Sequence, residues 1–154
     1  AGTENLPAIV AFGVACGLIT ASLAEESDRV RRLRGRLEGG ILAIWPGAVV
    51  NGDPLERLPN TLNVSFPGAR VDTLLASLDL LGIAVSSGAA CSSGTVRHSP
   101  VLAAMGIVPE ASVASVRFSL GRETVAEDID YVLEVLPIVR ERLLHHCCVV
   151  EGRA

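Results

Sequence analysis

From Asn5 to Ala24 the chain carries no charged side chain. Twenty residues without a charge is close to the length at which a helix can cross a bilayer. Such a run must either enter lipid or be covered by protein. Its residues argue for cover. It holds Asn5, Pro7, Gly13, Gly17, Thr20 and Ser22, and neither edge carries a tryptophan or tyrosine of the kind that anchors a span at the membrane interface. No basic stretch precedes it, so it does not read as a secretory leader. A buried or domain-bridging helix is expected, and no membrane partner.

The rest of the chain fits one small domain. There are 154 residues, 49% of them hydrophobic, enough for one core and too few for two full-sized domains. The net charge of −4 argues against nucleic acid as a partner. Arg29, Arg31, Arg32, Arg34 and Arg36 form the one basic cluster, interleaved with Glu25, Glu26, Asp28 and Glu38. That pattern reads as a solvated helix face with i,i+4 pairs.

Pro7 suits a first helical turn. The helical pattern runs from Ala8 to about Gly35, with an interruption expected near Ser22 to Ser27 and a stop at Leu37-Glu38-Gly39-Gly40. An apolar segment, Ile41 to Val50, follows. Thr61-Leu62-Asn63-Val64-Ser65-Phe66 alternates as a half-buried strand does, with Leu62, Val64 and Phe66 inward. Val71, Leu74, Leu75 and Leu78 recur at helical spacing. Ile83 to Ser86 reads as a second strand, Ser99-Pro100 as the start of a short helix ending at Gly106, and Ser115 to Ser119 as a third strand. Thr124, Glu127 and Asp128 resemble a capping box, opening a helix whose apolar stripe is Ile129, Val132, Leu133, Leu136, Val139 and Leu143. The order specifies a two-layer α/β domain with a long helical lead-in.

Four cysteines are spread without a disulfide pattern, which fits a reducing, cytoplasmic setting. Cys16 lies among apolar residues, as a structural cysteine does. Cys91 lies in Ser87-Gly88-Ala89-Ala90-Cys91-Ser92-Ser93-Gly94-Thr95, where small neighbours leave a thiol unshielded. Two readings stand for it: a nucleophile or sulfur-handling thiol, or a turn with a free thiol. Arg117 sits inside the alternating strand Val116-Arg117-Phe118-Ser119. It is either a structural arginine with a partner or a bidentate carboxylate holder. Arg122 is expected to pair with Glu123 or Asp128. His145, His146, Cys147 and Cys148 are consecutive, and adjacent ligands do not close a tetrahedron by themselves, so no metal site is assigned there.

Several segments together resemble the cysteine desulfurases, pyridoxal-phosphate enzymes of the class-V aminotransferase family. They are Ser86 to Gly94, Arg57 to Phe66, Val116 to Thr124 with Glu127-Asp128-Ile129-Asp130, and the opening Gly2-Thr3-Glu4-Asn5. The resemblance runs from about Ala1 to about Leu144 and implies the carboxyl-terminal portion of the aspartate-aminotransferase-like fold. Residues 1–36 would then be the end of the large domain with bridging helices. Residues 37–144 would be the small α/β domain carrying the cysteine loop, and residues 145–154 a tail.

The resemblance further implies transfer of sulfur from L-cysteine to a persulfide on Cys91, with release of L-alanine. Arg117 would hold the substrate carboxylate, and Thr3 would contact the cofactor phosphate of a partner subunit in a homodimer. The sulfur would pass to an iron–sulfur scaffold or a tRNA-thiolation protein. The chain has no lysine, so the cofactor's Schiff-base residue must come from a missing amino-terminal part or a separate subunit. A non-catalytic sulfur carrier or interaction module, and a truncated product without activity of its own, are the alternatives.

Overall fold

A computed structural model describes residues 2–87, 99–107 and 113–150, with side chains described as far as Leu143. The elements in chain order are α1 (Leu6–Ile44), β1 (Val49–Val50), β2 (Thr61–Pro67), α2 (Val71–Asp79), β3 (Ser86–Ser87), α3 (Pro100–Ala104), β4 (Val113–Ser119) and α4 (Ala126–Val150). The strands form one antiparallel sheet in the order β1-β2-β4-β3. The α/β sequence of elements matches the expected one, with β1 added inside the apolar segment.

The lead-in differs from expectation. It is a single helix of 39 residues, without interruption at Ser22–Ser27 and without a stop at Gly39-Gly40. The helix therefore crosses the expected boundary between residues 36 and 37. Asn5 caps it, its Oδ1 accepting from the Ala8 N–H at 3.2 Å, and Pro7 occupies the first turn. Each glycine inside a helix costs about 1 kcal/mol relative to alanine. Packing offsets that here, because Leu37 and Ile41 on either side are buried in the core. Gly40 is a point of close approach instead: a Cβ there would clash with the Leu133 side chain of α4.

Every second residue of β2 and β4 faces the helices. Leu62, Val64 and Phe66 of β2 join Ala114, Val116 and Phe118 of β4 in one buried cluster. Leu37 and Ile41 of α1, Leu74 and Leu78 of α2, and Ile129, Val132, Leu136 and Val139 of α4 complete it. Trp45 closes the end of α1. Its ring packs edge-on to Phe66 at 5.0 Å, and its Nε1 donates to the Pro67 carbonyl at 3.1 Å.

β3 is shorter than the pattern from Ile83 to Ser86 implied. The Ile83 N–H donates to the Leu78 carbonyl at 2.9 Å and the Gly82 N–H to that of Asp79, also at 2.9 Å. This closes α2 in a Schellman arrangement, for which Gly82 adopts φ of +74°. The donor that would have extended the ladder thus finishes the helix. Gly106 ends α3 in the same way, as expected from its position. At the start of α4 the roles expected of the capping residues are exchanged. Thr124 Oγ1 accepts from the Gly121 N–H, and Asp128 Oδ2 accepts from the Val125 N–H at 2.9 Å. Val125 is therefore the cap, and the carboxylate reaching back to it belongs to Asp128, not Glu127.

Candidate active-site face

The second face of the sheet is polar along most of β2 and β4, down to the apolar pair Pro67 and Val113. In an antiparallel pair, residues directly opposite share a face. Thr61 faces Ser119, Asn63 faces Arg117 and Ser65 faces Ser115. On the other side of β4, Ser86 of β3 also pairs with Arg117. On the other side of β2, the Asn51 N–H donates to the Asn63 carbonyl at 2.9 Å, continuing the ladder one residue past β1. Asn51, Asn63, Arg117 and Ser86 therefore stand in one row across the sheet. Neighbouring strands are about 4.8 Å apart.

Side-chain hydrogen bonds fix one end of that row. Asn51 Nδ2 donates to Asn63 Oδ1 at 2.6 Å and to Ser65 Oγ at 2.8 Å. The Ser65 and Ser115 hydroxyls are 3.0 Å apart and both residues are buried. A connected polar network of this kind is rigid because each member satisfies the next. Ser86 Oγ donates to the Ser87 carbonyl at 3.0 Å.

Arg117 is half-buried, and its Nε is fully buried without an acceptor among the described residues. Arg34 and Arg57 also carry a buried, unpartnered Nε. Each of those is anchored through its Nη groups, Arg34 to the Leu58 carbonyl at 2.6 Å and Arg57 to Glu38 Oε2 at 2.6 Å. Arg117 and Arg140 have no such anchor among the described residues, and of the two only Arg117 lies on the sheet. A buried charged N–H left without an acceptor costs on the order of 1–3 kcal/mol or more. A bound carboxylate would remove that cost with two parallel hydrogen bonds.

The sequence-derived site residues are not all brought together. Cys91 lies outside the described residues. It follows Ser87, the last residue of β3, by four positions in the sequence. Thr3 is exposed and precedes α1. The first buried residue of that helix is Val30, about 36 Å along the axis from Leu6 at 1.5 Å per residue. Thr3 is therefore remote from Arg117 within one chain. Asn63, Asn51 and Ser86 were not singled out from the sequence. The polar half of the β2 alternation was the signal that could have found Asn63.

Other expectations are corrected. Cys16 is exposed, with a free thiol. Arg122 pairs with neither Glu123 nor Asp128 among the described residues; its carbonyl accepts from Arg29 Nη2 at 2.8 Å. The basic cluster is not one solvated face. Arg29–Glu26 and Arg31–Asp28 pair at i,i+3, Arg36 reaches Asp130 of α4, and Arg34 is buried. Burial pushes the Arg34 pKa down, assisted by the nearby charge of Arg57. Hydrogen bonding to Arg29 holds the Glu26 carboxyl below its ordinary range, and Glu26 raises Arg29 in turn.

Comparison with known proteins gives this architecture a family. Residues 1–132 match the model for aminotransferase class-V, and the chain belongs to that family. Within it, the relatives are cysteine desulfurases. The chain is 48% identical over 141 residues to the cysteine desulfurase of Azotobacter chroococcum mcd 1, covering 91% of this chain and 36% of that protein. It is 46% identical over 142 residues to the cysteine desulfurase NifS of Azotobacter vinelandii, covering 92% of this chain and 35% of that protein. A solved NifS-like protein superposes with a TM-score of 0.77 at 33% identity, over 92% of this chain and 35% of that one. A NifS-like protein from Rickettsia africae ESF-5 gives 0.75 at 30% identity, over 92% of this chain and 36% of that one. The chain thus spans about a third of the length of these relatives.

Proposed function

We infer that this chain serves as the carboxyl-terminal, sulfur-accepting portion of a cysteine desulfurase. The observation that carries the reading is the placement of Arg117. It pairs with Ser86 of β3 on the polar part of the sheet face, its buried Nε has no acceptor among the described residues, and Cys91 follows β3 by four positions in the sequence. Arg117 would take the carboxylate of L-cysteine as a bidentate partner. The Cys91 thiolate would attack the substrate sulfur. A sulfur–sulfur bond forms as the substrate carbon–sulfur bond breaks, and the electron pair of that bond stays with the carbon skeleton that leaves as alanine. The reduced, cytoplasmic setting and a downstream sulfur acceptor belong to the same reading.

Pyridoxal phosphate supplies the electron sink for such chemistry in this family. The residues present do not by themselves fit that group. The chain has no lysine, so no side chain here forms the imine that would hold it, and Thr3 stands remote from Arg117. Holding the cofactor would fall to the part of a desulfurase that these residues do not represent, with Thr3 reaching the cofactor phosphate of a second subunit.

The test has two arms. The chain alone, incubated with pyridoxal phosphate and L-cysteine, is expected to form no alanine; turnover that disappears in Cys91→Ala would overturn the division of labour. Joined to the remaining two-thirds of the Azotobacter vinelandii relative, it is expected to release alanine. Cys91→Ser should abolish that release, and Arg117→Ala should raise KM for L-cysteine by about 100-fold, the order of one charge-assisted bidentate contact. Undiminished alanine release by Cys91→Ser, or an unchanged KM in Arg117→Ala, would refute the reading.

A further inference from the structure

We propose that Asn63 is a second carboxylate-binding residue beside Arg117, and that Asn51 holds it in the donating orientation. The inference rests on the reading of Arg117 as the carboxylate holder. Asn63 and Arg117 are direct cross-strand partners on the polar face. An asparagine side chain offers both an acceptor and donors, and an unconstrained amide could turn either end toward a ligand. Here the choice is made by the fold. Asn63 Oδ1 accepts from Asn51 Nδ2 at 2.6 Å, on the β1 side of the strand. Oδ1 and Nδ2 are the two ends of one planar group, so anchoring the oxygen there turns Nδ2 away from β1.

Asn51 is itself held. Its Nδ2 also donates to Ser65 Oγ, its backbone N–H donates to Asn63, and Ser65 meets Ser115. Turning the Asn63 amide alone would set its Nδ2 against Asn51 Nδ2, two donors face to face. Among the described residues, the buried Arg117 Nε has no acceptor, and the one hydrogen bond of the Asn63 side chain is the one its Oδ1 accepts from Asn51. Arginine cannot accept a hydrogen bond, so the two side chains do not satisfy each other. No aspartate or glutamate occupies the row formed by Asn51, Asn63, Arg117 and Ser86. Two adjacent groups that only donate, over a half-buried polar face, suit an anion with two oxygens. A planar carboxylate can take the guanidinium on one edge and the amide on a remaining lone pair.

The experiment uses the 154-residue chain, labelled with nitrogen-15, and L-alanine as the probe. L-alaninamide, which lacks the carboxylate, is the control. Saturable shifts of both the Asn63 side-chain amide and the Arg117 Nε–H with L-alanine, and neither with L-alaninamide, are the expected result. Asn51→Ala should leave the Arg117 shift in place while weakening the apparent affinity about fivefold to tenfold, the order of one lost neutral hydrogen bond. Backbone spectra of that variant show whether the sheet is intact, and wild-type titration remains decisive if it is not. A shift at Arg117 with none at Asn63 would overturn the role of Asn63 and leave the Arg117 reading standing. Absence of both shifts, or equal shifts with L-alaninamide, would overturn the two together.

Discussion

The two halves of helix α1 share one backbone and live in opposite surroundings. From Leu6 to Glu25 every residue is exposed, including Phe12, which is 73% exposed. From Val30 to Trp45 the helix carries Val30, Leu37, Ile41 and Trp45 into the core, the last three no more than 2% exposed. The exposed half is the more apolar of the two, with no charge before Glu25. The buried half carries four arginines and is amphipathic. Composition alone would have assigned burial the other way round. An apolar helix needs a surface to cover it, whereas an amphipathic helix brings a stripe matched to a sheet. The sheet of this domain has one apolar face, and the second half of α1 with α2 and α4 already occupies it.

The comparison predicts unequal sensitivity along the same helix. The largest effect is expected in the packed half. Ile41→Ala removes a fully buried side chain and should lower stability by about 2–5 kcal/mol, measured by denaturant unfolding at fixed slope. A loss below about 1 kcal/mol would mean that this half is not part of the core.

An intermediate, pH-dependent effect is expected at the seam. Arg29 binds Glu26 and also donates to the carbonyls of Gly121, Arg122 and Thr124, tying the helix to the turn before α4. Glu26 is held below its ordinary pKa, chiefly by its hydrogen bond with Arg29. A carboxyl whose folded pKa is depressed contributes stability above its unfolded pKa, about 4.3. That contribution falls away as pH drops through the lower folded value. The unfolding midpoint of wild type should therefore exceed that of Glu26→Gln at neutral pH, and the gap should close in acid. A gap that stays constant with pH would show that the ion pair is not its source.

The smallest effect on stability belongs to the exposed half. Phe12→Ser should change it by no more than about 0.5 kcal/mol, as for surface positions generally, while reducing self-association in sedimentation measurements. A loss of several kcal/mol would show that this stretch is covered in solution.

Much of the fold was legible because local chemistry and tertiary role agreed. The β2 alternation placed Leu62, Val64 and Phe66 inward, and Ser99-Pro100 with Gly106 bracketed α3. Failures came where packing overrode a local signal. Gly39-Gly40 reads as a stop, yet at Gly40 the α1 backbone comes so close to Leu133 of α4 that a side chain would clash there. Burial of the Asn5–Ala24 run was inferred from hydrophobicity, which reports a need for cover without supplying the surface. At the site, Arg117 was legible as a charge inside an alternating strand. Asn63 was not, because its significance lies in register: only pairing with β4 reveals what stands beside it. Asn51 is hidden further, in a turn signal that reads as punctuation.

Trp45 has a practical consequence. It is the chain's one tryptophan, buried against Phe66 with its indole N–H bonded to the Pro67 carbonyl. Its emission should be blue-shifted in the folded chain and move red on unfolding, so it acts as an optical gauge wired to the sheet. The same gauge is blind to Leu6–Glu25. An event on that stretch can be watched by another label while the indole certifies, in the same cuvette, that the domain beneath has not changed.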